Sequence, residues 1–152
     1  MTAPAPAIHV LTGPTAVGKT EAALRWAEQH DAEIISCDSV CVYRGMDVGS
    51  AKPTAEEQHR IRHHGLDLVD PSERYSVSQY VDMARAAIAG AHARGKRVLV
   101  TGGSGFYLAA FFGPVTDELE IPQAITDEVR TLHRQGLASL LLRLRELEGP
   151  KL

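Results

Sequence analysis

Apolar and polar positions alternate along this chain in a way that predicts strands separated by helices. Ile8, Val10 and Leu11 form a short apolar run that reads as a buried strand, and Glu21 to His30 reads as the helix after it. Glu33 to Cys37 is a second strand. Thr54 and Glu57 form a capping box just after Pro53, so a helix starts there and runs towards Arg62. Leu66 to Val69 is a short strand or extended segment closed by Asp70 and Pro71. Ser76 and Gln79 form a second capping box. The helix it opens places Val77, Tyr80, Val81, Ala84, Ile88 and Ala91 on one face and stops at Gly95. Arg97 to Thr101 is a third strand, followed by a Gly102, Gly103, Ser104, Gly105 turn and a short helix. Strands alternating with helices imply an α/β fold, a parallel sheet with helices on both faces. Ligands then bind beyond the carboxyl ends of the strands.

The tail breaks this rhythm. Ile121, Ile125, Val129 and Leu132 keep helical spacing, Gly136 interrupts, and Leu140, Leu141, Leu144 and Leu147 resume it. Residues 1–115 therefore read as the α/β core and residues 116–152 as the start of a helical appendage. Composition adds limits. At 152 residues, 44% hydrophobic and 23% charged, the chain can bury one core. No apolar run reaches membrane-spanning length, and the first seven residues read as a frayed lead-in rather than a signal peptide. A net charge of −3 gives no nucleic-acid signature. Basic residues do gather late, at Arg130, His133, Arg134, Arg143, Arg145 and Lys151, as a solvated helix face or a backbone-contacting one. Cys37 and Cys41 are too few and too close for a disulfide framework and read as reduced thiols of a cytoplasmic protein. His59 and His63 stand four apart, which on a helix would share a face, but no third ligand accompanies them.

The chemistry begins at Gly13, Pro14, Thr15, Ala16, Val17, Gly18, Lys19 and Thr20, a complete G-x-x-x-x-G-K-[ST] placed between a strand and a helix. Such a loop converges backbone N–H groups on a phosphate, Lys19 adds a point charge, and the Thr20 hydroxyl can ligate Mg²⁺. The core is accordingly expected to be P-loop NTPase-like. The second strand delivers Asp38 and Ser39 to the same sheet edge, and the third delivers Thr101 and the Gly-rich turn. Asp38 can hold Mg²⁺, take a proton from a nucleophile, or serve only as a turn residue. Ser104 can present its hydroxyl or simply cap a helix. The strand ending in Thr101 carries no Walker-B acid, which turns the reading away from ATP hydrolysis.

The phosphate loop, the block from Ser36 through Asp38, Tyr43, Asp47 and Gly49 to Pro53, the block from His63 to Pro71 with Tyr75 and Ser76, and Gly102 to Tyr107 occur in one order along the chain. In this it resembles the tRNA dimethylallyltransferase family, whose members move a dimethylallyl group from its diphosphate to the exocyclic amine of the adenosine beside the anticodon. The resemblance implies that Gly13 to Thr20 hold the diphosphate and that Thr20 binds Mg²⁺. It also implies that Asp38 is the base, that Ser104 stands where the family's threonine meets substrate, and that Asp38, Ser39, Val40, Cys41, Ser104 and Arg130 face tRNA. The implied partners are tRNA and dimethylallyl diphosphate, with no membrane; a monomer is expected. Cys41 departs from a frequent glutamine and cannot make that side chain's paired hydrogen bonds. Members are usually much longer, and the chain is expected to stop inside the tRNA-gripping insertion. An adenine-nucleotide isopentenyltransferase would share the loop, Asp38 and the Gly-rich turn; a small P-loop kinase would share the loop and use Asp38 as base towards a hydroxyl.

Overall fold

A computed structural model describes residues 7–14, 16–111, 113 and 121–148. The chain divides into two compact units, Met1–Asp117 and Glu118–Leu152. In the first unit four parallel strands form one sheet in the order β1-β4-β2-β3: β1 (Ile8–Thr12), β2 (Ala32–Ser36), β3 (His63–His64) and β4 (Arg97–Gly102). Helices α1 (Lys19–His30), α2 (Ala55–Arg60), α3 (Val77–Ala93) and α4 (Gly105–Ala110) lie between and after them.

Period-two side-chain alternation divides the core between the two faces of the sheet. Ala32 and Ile34 of β2 and Leu99 of β4 pack with Ala23, Leu24 and Ala27 of α1. Ile35, Val98 and Val100 pack on the other face with Val77, Tyr80, Val81, Ala84 and Ala91 of α3 and Tyr107 of α4. Tyr80 stacks on Tyr107 with ring centroids 4.1 Å apart, which joins α3 to α4 beneath the β4 exit. The predicted α3 face is therefore the buried one, with Ile88 half-buried at its margin.

Both capping boxes form. Thr54 Oγ1 accepts from Glu57 N–H and Glu57 accepts from Thr54 N–H at 2.7 Å. Ser76 and Gln79 do the same at the start of α3. Gly95 follows α3 with φ 72°, a left-handed turn that favours glycine.

Two expectations are corrected and one choice is resolved. β1 is not buried: it borders only β4 among the described residues, leaving Ile8 44% and Val10 43% exposed. The strand beside β2 is His63–His64, and Leu66–Val69 is the extended segment of the two readings, joined to Cys41–Arg44 by backbone hydrogen bonds and a bridge from Val69 to Tyr43. Two histidines carry no alternation signal, so this strand exists through its hydrogen bonds to β2. The helix from Thr54 ends at Arg60, so His59 and His63 share no helix face.

Glu33 sits buried in β2 with its carboxylate enclosed by Arg94 (2.9 and 2.8 Å) and His64 Nε2 (2.6 Å). Burial alone would raise that carboxyl, but the hydrogen bonds from Arg94 and His64 outweigh it and hold it down at about 2.

The second unit is a helical hairpin, α5 (Gln123–Gln135) and α6 (Leu137–Glu148), turned at Gly136. Arg143 donates to Glu128 at 2.7 Å across the hairpin. Ile125, Val129, Leu141 and Leu144 of the predicted periodic positions remain exposed.

Candidate active site

The three long strands end in register: Thr12 lies beside Gly102, and Ser36 beside Thr101. The phosphate loop leaves β1 at this edge. Ala16 (φ 64°) and Gly18 (φ 85°) take left-handed conformations, the kind of backbone that lets N–H groups converge on an anion. Lys19 arches back over the loop, its Nζ donating to the carbonyls of Gly13 (2.9 Å) and Pro14 (2.6 Å). A phosphate seated on the loop meets that charge directly. Thr20 follows in the first turn of α1. Thr15 lies outside the described residues.

The chain leaving β2 is stitched to the β4 exit. Cys37 N–H donates to the Thr101 carbonyl at 2.7 Å, and Ser104 N–H donates to the Cys37 carbonyl at 3.0 Å. Between them Gly102 passes so close to Cys37 that a side chain there would overlap the Cys37 backbone. Asp38 is the next residue. Its Oδ1 accepts from Val40 N–H at 2.9 Å, closing an Asx turn and leaving Oδ2 without that duty. Asp38 is thus a turn residue and a half-buried carboxylate on the cavity wall at once.

That cavity, about 440 Å³, is lined by Gly18, Lys19, Thr20, Asp38, Thr101, Gly102 and Gly103 among others. Loop and carboxylate, expected at one sheet edge, face one space. Ser39 and Val40 are exposed beside it. Ser104 is not on its wall: the Ser104 hydroxyl accepts from Tyr107 N–H at 3.3 Å as the cap of α4. Cys41 is 1% exposed, and burial with the nearby Asp38 charge pushes its thiol up to about 11. Arg130 stands exposed on α5, 3.6 Å from Asp127. Lys151 lies outside the described residues.

The rest of the wall was not singled out in the sequence as a site. Gly49, Ser50, Ala51 and Pro53 come from the long segment after Asp38, Ile34 from β2 and Ala23 from α1. His63 also lines it, and burial lowers its imidazole below the usual histidine range. The signal available was the Gly49 to Pro53 run itself, a glycine-to-proline stretch with no regular structure directly before a capping box. As for a metal, no group of three His, Cys, Asp or Glu side chains is arranged to hold one among the described residues. The Thr20 hydroxyl and the Asp38 carboxylate are hard oxygens on one wall, which suits Mg²⁺ shared with phosphate oxygens and water.

A family model described as IPP transferase matches residues 41–150. The chain belongs to the IPP transferase family. Its relatives in that family include the tRNA dimethylallyltransferase of Opitutus terrae, 54% identical over 147 residues, 97% of this chain and 47% of the relative. That of Deinococcus radiodurans is 44% identical over 144 residues, 93% of this chain and 47% of the relative. Among solved structures, the full-length tRNA isopentenylpyrophosphate transferase of Bacillus halodurans superimposes with a TM-score of 0.69 at 36% identity, over 95% of this chain and 48% of that one. A eukaryotic dimethylallyltransferase acting on tRNA gives 0.71 at 30% identity, over 81% and 32%. This IPP transferase chain thus spans about half the length of the curated relatives it matches. The P-loop NTPase-like α/β fold expected from the sequence is the fold found. No helix among the described residues is long and apolar enough to cross a membrane.

Proposed function

We propose that this chain carries the diphosphate site and the catalytic base of a tRNA prenyltransferase, which moves a dimethylallyl group from dimethylallyl diphosphate to the exocyclic amine of the adenosine next to the anticodon. The observation that carries this reading is the placement of Lys19, Thr20 and Asp38 on one cavity wall. The loop from Gly13 to Thr20 takes the diphosphate, and its N–H groups and Lys19 stabilise the charge that builds as the allylic C–O bond breaks. Mg²⁺ held at Thr20 would supply further neutralisation of the diphosphate. The adenine amine attacks the allylic carbon, and as the C–N bond forms its proton passes to Asp38 Oδ2, the oxygen that does not hold Val40 N–H. Asp38, Ser39 and Val40 border the acceptor, with Cys41 seating this turn from below. Ser104 meets the acceptor from the α4 cap, its hydroxyl proton still available to donate. The adenosine leaves its stack to reach the cavity. The hairpin of α5 and α6 is a tRNA-binding element in which Arg130 meets the tRNA backbone.

The test is incubation of the full chain with labelled dimethylallyl diphosphate and Mg²⁺, in separate tubes with tRNA and with AMP, followed by digestion to nucleosides. Label on tRNA adenosine supports the reading. Label on AMP alone moves it to a nucleotide prenyltransferase, and no label in either tube refutes transfer by this chain.

A further inference from the structure

Lys52 stands at the end of the segment that runs from Asp38 along the cavity wall, and its side chain is only 4% exposed. An ammonium has three N–H groups, and here all three have partners. Nζ donates to the Tyr43 carbonyl at 2.8 Å, to Asp47 Oδ1 at 2.7 Å and to Asp67 Oδ1 at 2.7 Å. Tyr43 and Asp47 belong to the segment between Asp38 and Lys52; Asp67 belongs to the stretch after β3. Asp67 holds a left-handed backbone (φ 52°), unusual outside glycine, and its own N–H donates to the Cys41 carbonyl at 3.0 Å. Leu68 N–H donates to Val42 and Arg44 N–H to Val69, so the two stretches run paired from Cys41 to Arg44.

We propose that Lys52 is a positioning residue: it fastens residues 38–53 to residues 66–70 and thereby sets Asp38 and the Gly49–Ala51 wall around the cavity. None of the three groups it binds lines that cavity, so it acts through the segment and not on substrate. Burial would lower the Lys52 ammonium, but hydrogen bonds to Asp47 and Asp67 outweigh burial and raise it, keeping the cation charged. Without it, two carboxylate oxygens that each sit 2.7 Å from one nitrogen repel, and the Tyr43 carbonyl loses its donor. Arginine does not replace it, because a planar fork cannot bring three donors to the place of a single nitrogen.

The chain carries its own reporter, since its two cysteines are both buried and only Cys41 lies in the fastened segment. Peptide-resolved iodoacetamide labelling of the full chain then measures local opening without substrate. Lys52→Met is expected to speed Cys41 labelling by about tenfold or more while Cys37 changes by less than about twofold. The acceleration runs against electrostatics, because losing the Lys52 charge by itself makes the Cys41 thiol harder to ionise. Lys52→Arg follows Lys52→Met, and Lys96→Met, which removes an ion pair to Asp31 elsewhere, leaves both rates unchanged. Unchanged Cys41 labelling, or Cys37 and Cys41 rising together, overturns the proposal. Its functional half rests on the prenyl-transfer reading: kcat with tRNA falls about tenfold or more while the Kd for dimethylallyl diphosphate stays within about twofold. Cys41 release with unchanged kcat overturns the positioning role. Should wild type transfer nothing, that reading fails and the labelling result alone decides the fastening.

Discussion

Replacing Gly102 by alanine tests how the site is assembled. An added Cβ would stand within the Cys37 carbonyl group and 2.9 Å from the Cys37 Cα. The obstacle is backbone, so no rotamer change relieves it, and one strand exit must retreat by on the order of 1 Å to restore van der Waals contact. Overpacking of this kind costs about 1–3 kcal/mol, and a backbone partner places it at the upper end. For a unit of this size roughly 3 kcal/mol lowers Tm by about 10 °C. The retreat also breaks the pairing of Cys37 with Thr101 and Ser104 that holds Asp38 opposite the phosphate loop. A displacement of about 1 Å at a base lowers turnover by roughly 100-fold. Gly105→Ala is the comparison: nothing lies within 4 Å of its added Cβ, and it stands in α4, where alanine is favoured by up to about 1 kcal/mol. Urea titration and prenyl-transfer rates on both variants decide the matter. Wild-type stability and turnover in Gly102→Ala, or equal losses in Gly105→Ala, would refute the reasoning.

Three further outcomes are expected. Asp38→Asn keeps the Oδ1 acceptor of the Asx turn but loses the base, so turnover drops by about 10²–10⁴-fold with the Kd for dimethylallyl diphosphate within about twofold; equilibrium binding and single-turnover rates check it, and unchanged turnover removes Asp38 from the chemistry. Glu33→Gln removes a carboxylate held at about 2 against an ordinary 4.5, a gap worth on the order of 3 kcal/mol. Because the folded value is depressed, that stability is present above pH 4.5 and fades as pH falls towards 2; urea midpoints across this range should show the wild-type advantage shrinking, and an advantage independent of pH would contradict it. Thr54→Ala takes the cap from α2 at about 1 kcal/mol, seen as a lower thermal midpoint, and Thr54→Ser should restore it.

What could be read beforehand follows from how local each determinant is. The α3 face and both capping boxes are written in spacings of three or four residues, and each was found where its spacing put it. The place of Asp38 at the sheet edge was legible because it stands two residues past the end of an apolar strand. The exposure of β1 was not, since an apolar strand reads alike at a sheet's centre and at its edge. Nor was β3, whose two histidines are strand only because β2 lies beside them. The wall from Gly49 to Pro53 and the environment of Lys52 depend on residues 66–70, which no spacing rule connects to them.

The strand order also fixes when this site can exist. β1 meets β4 and no other strand among the described residues, and Ile8 pairs with Val98, ninety positions later. On the ribosome the phosphate loop therefore emerges early yet has no seat until Arg97–Gly102 has been synthesised and inserted between β1 and β2. Contacts of such long sequence separation fold slowly. Until then a glycine-rich loop and an apolar strand wait together in the nascent chain, and the interval before β4 arrives is when chaperones have most to protect.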